Sequence, residues 1–198
     1  GEAALSACDA ERYFSAYMTA IQSLGETAQA TDLLNRPSIS VKLSALHPRY
    51  EYAQRECVLT ELAPRILALT QHAHHENIGV TLDAEEADRL ELSLDIFAMV
   101  FNDASLNNYH GFGLAVQAYQ KRAPYVLDWL ASLARQQQRR IPVRLVKGAY
   151  WDTEIKRAQV QGLAGYPVFT HKAATDVSYL ACANKLLQRR DVFFPQFA

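Results

Sequence analysis

Short runs of β-branched and apolar residues alternate along this chain with stretches whose apolar residues recur at helical spacing. That alternation limits the fold more than any other feature. Six runs read as strands: Ile39 to Leu46, Ile78 to Ala84, Gly111 to Ala118, Pro142 to Lys147, Pro167 to Lys172 and Val192 to Phe197. Between them, residues 8–24 place Tyr13, Tyr17, Ile21 and Leu24 on one helical face, and Val58, Leu62, Ile66, Leu69 and Ala73 make a second such face. Pro64 should kink or restart that second helix. A third helix over 86–101 turns Leu90, Leu94, Phe97 and Phe101 inward, and a fourth opens at Pro124 and buries Leu127, Leu130 and Leu133. Asp152 and Asp176 are the expected N-caps of a fifth helix, carrying Ile155 and Ala158, and a sixth, carrying Tyr179, Ala183 and Leu187.

Strands separated by helices cannot pair as hairpins, so the pattern predicts a parallel sheet of right-handed βαβ crossovers. An open dinucleotide-binding sheet would carry GxGxxG after its first strand, where this chain has Ser44-Ala45-Leu46-His47-Pro48. We therefore expect an α/β fold of the (β/α)8 TIM-barrel type. Eight units close such a barrel in about 250 residues, and the 198 residues here supply six. Residues 1–37 read as an N-terminal helix leading in, and 38–198 as barrel strands one to six. A bare apolar edge strand at Val192 to Ala198 would invite aggregation. Two more strands and a final helix are expected from a longer polypeptide.

Composition narrows the function classes. With 49% apolar and 21% charged residues the chain can build a core, and its formal net charge of -1 gives no cationic excess for non-specific binding of nucleic acid. Cys8, Cys57 and Cys182 lie far apart with no CxxC pair, which argues against a disulfide scaffold or a cysteine-built zinc site. Gly1-Glu2 begins nothing like a signal peptide, and the longest nearly uncharged apolar stretches, such as Leu92 to Phe101 with Asp95 inside, fall short of a membrane span. The expected compartment is the cytoplasm, and no metal is expected.

Catalytic groups of such barrels gather at the C-terminal strand ends. This selects Lys42, Ser44 and His47 from strand one, Asp83, Glu85 and Glu86 from strand two, and Gln117, Tyr119, Gln120 and Lys121 from strand three. Strand four gives Arg144, Lys147, Tyr150 and Trp151; strand five gives Thr170, His171, Lys172 and Thr175; strand six gives Gln196. Lys42, Arg144, Lys147 and Lys172 should thus fall near one mouth, which suits an anionic ligand. A cation near a strand end is usually a solvated rim residue, but Lys42 and Arg144 lie inside apolar runs, where a charge needs a partner or a task. Asp83 reads equally as a structural ion-pair partner, and Gln117 as a core hydrogen-bonding amide. His72, His74 and His75 end a helix away from the mouth, Gly111-Phe112-Gly113 precedes a strand instead of following one, and the basic runs near 135–140 and 188–190 suit helix C-termini. None of these is taken as a site.

Four blocks carry a family resemblance: Ser40 to Tyr50 (SVKLSALHPRY), Leu82 to Arg89 (LDAEEADR), Gln117 to Arg122 (QAYQKR) and Arg144 to Asp152 (RLVKGAYWD). Together with Pro167 to Lys172, Thr175 to Ala183 and Pro195 to Ala198, they resemble the proline dehydrogenase domain of bacterial bifunctional proline utilisation flavoproteins. The resemblance implies an FAD-dependent (β/α)8 barrel that oxidises L-proline to Δ1-pyrroline-5-carboxylate, with hydride passing to flavin N5. By the same resemblance Arg144 lies at the flavin N5 edge, Lys42 meets the substrate carboxylate, and Asp83 lies close to substrate and flavin. Tyr150 walls the pocket, and Gln117 touches the isoalloxazine edge. Ala84, Val146, Lys147, Gly148, Ala149, Trp151, Gln196 and Ala198 line the flavin, and Thr170, His171, Lys172 and Thr175 hold its diphosphate and adenosine. Relatives often carry arginine where His171 stands, and an imidazole is fully charged only below its pKa. They also carry a last helix with paired arginines and a tyrosine over the proline ring, so the resemblance implies little activity for these 198 residues alone. It further implies an NAD-using aldehyde dehydrogenase domain in the parent polypeptide. A membrane quinone or another electron acceptor and peripheral association with the inner membrane are also expected, with no nucleic-acid contact through this segment.

From the residues alone, two other classes stand beside this one. Lys42, desolvated by Val41 and Leu43, or Lys172 could form a Schiff base with a carbonyl or with pyridoxal phosphate. An incomplete barrel could also serve as a non-catalytic binding or assembly piece.

Overall fold

The computed structural model describes residues 3–28 and 32–198; the Gly1-Glu2 start lies outside them. The chain runs α1 (Ala7–Thr27), β1 (Ser38–Val41), α2 (Arg55–His75), β2 (Gly79–Leu82), α3 (Leu90–Phe101) and β3 (Phe112–Gln117). It continues through α4 (Ala123–Gln136), β4 (Ile141–Val146), α5 (Trp151–Val160), α6 (Lys172–Gln188) and β5 (Phe193–Phe197). The strands form one sheet in the order β1-β2-β3-β4-β5, and the β1–β2, β2–β3 and β4–β5 ladders are parallel. This is the arrangement that βαβ crossovers dictate.

The chain packs as two compact units. The first comprises Gly1–Asp83 with Arg89–Leu114. Ser6 caps α1 by accepting from the Asp9 amide at 3.1 Å. The α2 face predicted from spacing is the buried one, with Val58, Leu62, Ile66, Leu69 and Ala73 all enclosed. Pro64 sits inside this single helix, which neither stops nor restarts there. Phe97 stacks on both Phe101 and Phe112. In α3 the enclosed residues are Leu92, Ile96, Phe97, Val100 and Phe101, while Leu90 and Leu94 are only half-buried. A 3-10 turn over Ala87–Arg89 occupies the start expected for α3.

The second unit comprises Ala84–Asp88 with Ala115–Ala198. In it β4 pairs with β5 from Ile141↔Phe193 to Leu145↔Phe197. Leu127, Leu130 and Leu133 of α4 are buried as expected. Two helix ends use the same stop. At α2 in the first unit, Asn77 takes φ 55° while the Ile78 amide donates to Ala73 O; at α4 here, Gln138 takes φ 51° while the Arg139 amide donates to Ala134 O. Each is a six-to-one closure that turns the chain directly into the next strand.

Four further expectations fail here. Pro167 to Lys172 is not a strand: it makes one antiparallel bridge, Val168 to Gln120, and then enters α6. The reason is backbone accounting. Pro167 has no N–H, its carbonyl accepts from the Lys121 amide, and the Phe169 amide goes to Tyr119 O, so the segment caps the end of β3 instead of extending the sheet. The described residues therefore hold five strands, with α5 and α6 in succession between β4 and β5. Secondly, β1 ends at Val41, and Leu43–Ala45 form a 3-10 turn where strand was expected. Thirdly, the N-caps of α5 and α6 are Tyr150 and His171, not Asp152 and Asp176. The buried face of α6 is Thr175, Ser178, Cys182 and Leu186, one residue out of phase with the expected Tyr179, Ala183 and Leu187. No described helix is long and apolar enough to cross a membrane.

Candidate functional site

In the first unit the chemistry lies at the ends of β1 and β2. Their register pairs Val41 with Leu82, and the Asp83 amide donates to Val41 O at 2.9 Å, so Lys42 and Asp83 leave adjacent strands side by side. Lys42 is half-buried, its backbone amide donating to the Tyr17 hydroxyl at 3.3 Å. The next turn holds Ser44 and His47, both buried. His47 Nδ1 accepts from the Arg49 amide and its Nε2 faces Glu61 at 3.3 Å, while the Cys57 thiol donates to the other Glu61 oxygen at 3.2 Å. Sequence spacing gave no warning of this trio, which could hold a metal ion by proximity. The Arg49 bond, however, fixes the ring as the Nε2–H tautomer, leaving no lone pair for a metal at Nε2. The hydrogen bonds from the thiol and from His47 hold the Glu61 carboxyl below its usual range. The trio tethers the β1–α2 loop to α2.

In the second unit the end of β3 and the loops around it are tied by one amide. Gln117, buried at 3% exposure, donates from Nε2 to Glu85 O at 2.8 Å and accepts the Ala149 amide on Oε1 at 3.1 Å. It thereby fixes Ala84 and Glu85 on one side and the Gly148-Ala149-Tyr150 turn on the other. In β4, Val143 and Leu145 are enclosed and Arg144 and Val146 half-buried, the alternation that period two requires. Arg144 stands in register with Gln196 of β5, so the two side chains emerge on one face. Ala198 continues that ladder, its amide donating to Leu145 O.

A cavity of about 380 Å³ opens beside these strand ends, lined by Tyr119, Lys147, Gly148, Trp151, Thr170, His171, Lys172 and Thr175. Its position follows from α6, whose N-terminal turn begins at Lys172 and carries no side-chain cap. Such an end attracts anions through its unpaired amides and dipole. The Trp151 indole is held by donation to Phe169 O at 2.9 Å, and Gly148, at φ 148°, approaches the Tyr119 ring so closely that a Cβ there would clash with it. Burial pushes the Tyr119 hydroxyl above the usual phenol range. The Lys147 and Lys172 ammoniums meet on Asp176, at 2.6 and 2.7 Å. Lys147, and then Lys172, hold the Asp176 carboxyl below its usual range, and Asp176 raises the Lys147 ammonium in turn. Two cations, two hydroxyls, an imidazole and an indole around a helix N-terminus suit a phosphorylated aromatic ligand.

The strand-end rule selected Tyr119, Lys147 and Trp151 from the ends of β3 and β4; Thr170, His171, Lys172 and Thr175 were selected from an expected strand that the structure replaces with one bridge and the start of α6, and Gly148 came from the family resemblance. The rule missed Asp176, assigned instead to capping, and it missed Glu154. Glu154 is 3% exposed, accepts the Ala87 amide at 2.6 Å, and has its carboxyl raised chiefly by desolvation. Nothing in the WDTEIKR pattern distinguishes Glu154 from a solvated helical glutamate. A smaller cavity of about 190 Å³ lies there, among Asp88, Arg122, Glu154 and Arg157. Arg157 pairs with Asp88 at 2.8 Å, and Arg122 donates to Ala87 O at 2.7 Å.

The family model described as proline dehydrogenase matches residues 1–198. The bifunctional protein PutA of Klebsiella aerogenes is 53% identical over 198 residues, covering all of this chain and 15% of that protein. PutA of Escherichia coli K12 is 52% identical over the same span and share. The crystal structure of a mutant proline utilization A of Bradyrhizobium japonicum superposes with a TM-score of 0.98 at 59% identity, over all of this chain and 20% of that one. The chain thus spans about a seventh of the length of these curated relatives.

Proposed function

This chain belongs to the proline dehydrogenase family, and from that premise we propose that it forms the flavin-binding part of an FAD-dependent enzyme that oxidises L-proline to Δ1-pyrroline-5-carboxylate. The observation that carries the reading is the 380 Å³ cavity, where Lys147, Lys172, Thr170, Thr175 and the start of α6 surround space floored by Tyr119 and Gly148. These donors fit a diphosphate next to an aromatic ring system. When bound, FAD supplies the hydride acceptor. Lys147, Lys172 and the α6 amides hold the phosphates, His171 adds a weaker contact, and Trp151 packs on the rings. Val146, Ala149, Gln196, Ala198 and Ala84 border the flavin, and Gln117 holds two of the loops that do so. Arg144, a fixed cation on the β4–β5 face, balances negative charge that accumulates during the reaction. Lys42 binds the substrate carboxylate, Asp83 orients the substrate, and Tyr150 walls it.

In the full-length polypeptide we expect further strands to complete a (β/α)8 barrel from residue 38 onward. A second, NAD-using aldehyde dehydrogenase domain would consume the product, and a membrane quinone or similar acceptor would reoxidise the flavin. A cytoplasmic enzyme with peripheral membrane contact suits those partners. The test is the absorbance spectrum of a purified polypeptide carrying this chain. Flavin bands that bleach when proline is added are the expected result, and a colourless protein that takes up no added FAD would overturn the reading.

A further inference from the structure

Asp176 carries the inference. It lies on the second turn of α6 and takes both ammoniums that border the cavity, Lys147 on Oδ1 at 2.6 Å and Lys172 on Oδ2 at 2.7 Å. The same helix brings the Tyr179 ring to 6.0 Å from Lys147 Nζ, so this lysine is drawn to α6 twice. With no other anion bound, two lysines aimed at one place would repel, and a carboxylate between them settles the pair. A diphosphate at the start of α6 seeks the same ammoniums. Lys172 and Thr175 line the cavity, and Asp176 follows Thr175 directly in the chain.

We propose that Asp176 is a built-in anion that occupies the two-lysine cradle and competes with the diphosphate for it, so that it sets how tightly an anionic ligand is held. It lowers the charge of the cradle from two positive to one. A ligand must therefore present enough negative charge to share or displace the carboxylate, and this favours a diphosphate over a single phosphate. The proposal rests on reading this cavity as the diphosphate site of a flavin dinucleotide. Because Asp176, Lys147 and Lys172 are all partly exposed, the effect is a graded one that salt weakens.

The experiment uses the full chain and its Asp176→Asn and Asp176→Glu variants with three probes. Pyrophosphate is titrated by calorimetry, and FAD and riboflavin by quenching of flavin fluorescence. Asp176→Asn should bind pyrophosphate and FAD about two- to fivefold more tightly at low salt, with a steeper loss on adding salt and unchanged riboflavin affinity. Asp176→Glu, which keeps the charge, should stay near the parent. Equal or weaker pyrophosphate binding by Asp176→Asn would overturn the proposal and leave Asp176 as a support for the lysines. A parent chain that takes up no FAD, whose Asp176→Asn variant still gains pyrophosphate affinity, would remove the flavin reading and keep the competition.

Discussion

A glycine and an aspartate show what single residues reveal and conceal. Gly148 lies at φ 148°, and a Cβ built there would come within 2.4 Å of the Tyr119 ring, which is itself held by donation from its amide to Lys147 O. Gly148→Ala should therefore cost about 3 kcal/mol, combining a disallowed backbone with overpacking. The cavity it borders would also lose flavin affinity. Chemical denaturation checks the first effect, and a variant as stable as the parent would show that the turn can re-form around a side chain. Arg144 and Lys42 stand out in sequence because a charge inside an apolar run demands an explanation. Asp176 does not: an aspartate near a helix start has a local use ready, and only the fold brings Lys147 to it.

Elements were legible where their periodicity was clean. The α2 face repeats without interruption, and β4 alternates as VRLV, so the buried sides of both follow from spacing alone. Helix α6 has apolar residues on several sides, Val177 and Leu180 remaining exposed, and its phase could not be read by the same rule. The run at 167–169 has strand composition, yet its hydrogen bonds go to the end of β3. Sequence shows that Pro167 lacks a donor but not where the neighbouring groups turn. Helix α5 is anchored by the buried Glu154, whose Oε1 accepts from Ala87 as the chain enters the 3-10 turn Ala87–Arg89. Its carboxyl is raised above the ordinary 4.5, first by desolvation and further by Asp88 and Glu86, against lowering by the Ala87 amide and Arg157. A raised carboxyl favours the folded state most when protonated. That contribution is whole below pH 4.5 and is lost as pH climbs through the folded value. Glu154→Gln keeps an oxygen for the Ala87 amide and carries no charge, so its stability relative to the parent should improve as pH rises above about 4.5 and level off once Glu154 is ionised in the folded state. Urea titrations across that range measure it, and a pH-independent difference would mean that Glu154 does not titrate in this window.

For the molecule as a whole, the alternation of strand and helix foretold a parallel sheet in sequence order. It could not foretell that the chain packs as two compact units with Lys42 and Asp83 in one and Arg144, Gln117 and the cavity in the other. Under the proposed function Lys42 meets the substrate carboxylate and Arg144 the flavin, so variants at the two should fail differently. If Lys42 meets the substrate carboxylate as proposed, Lys42→Met, a change outside the cavity lining, should raise KM for proline at least about tenfold while bound flavin stays at the parent level. Arg144→Met takes away the fixed charge on the β4–β5 face. It should slow flavin reduction about 100-fold or more even at saturating proline. Rapid mixing of each variant with proline, following the flavin bands, separates the two effects. A Lys42→Met protein purified without flavin, or an Arg144→Met protein reduced at the parental rate, would overturn these two roles.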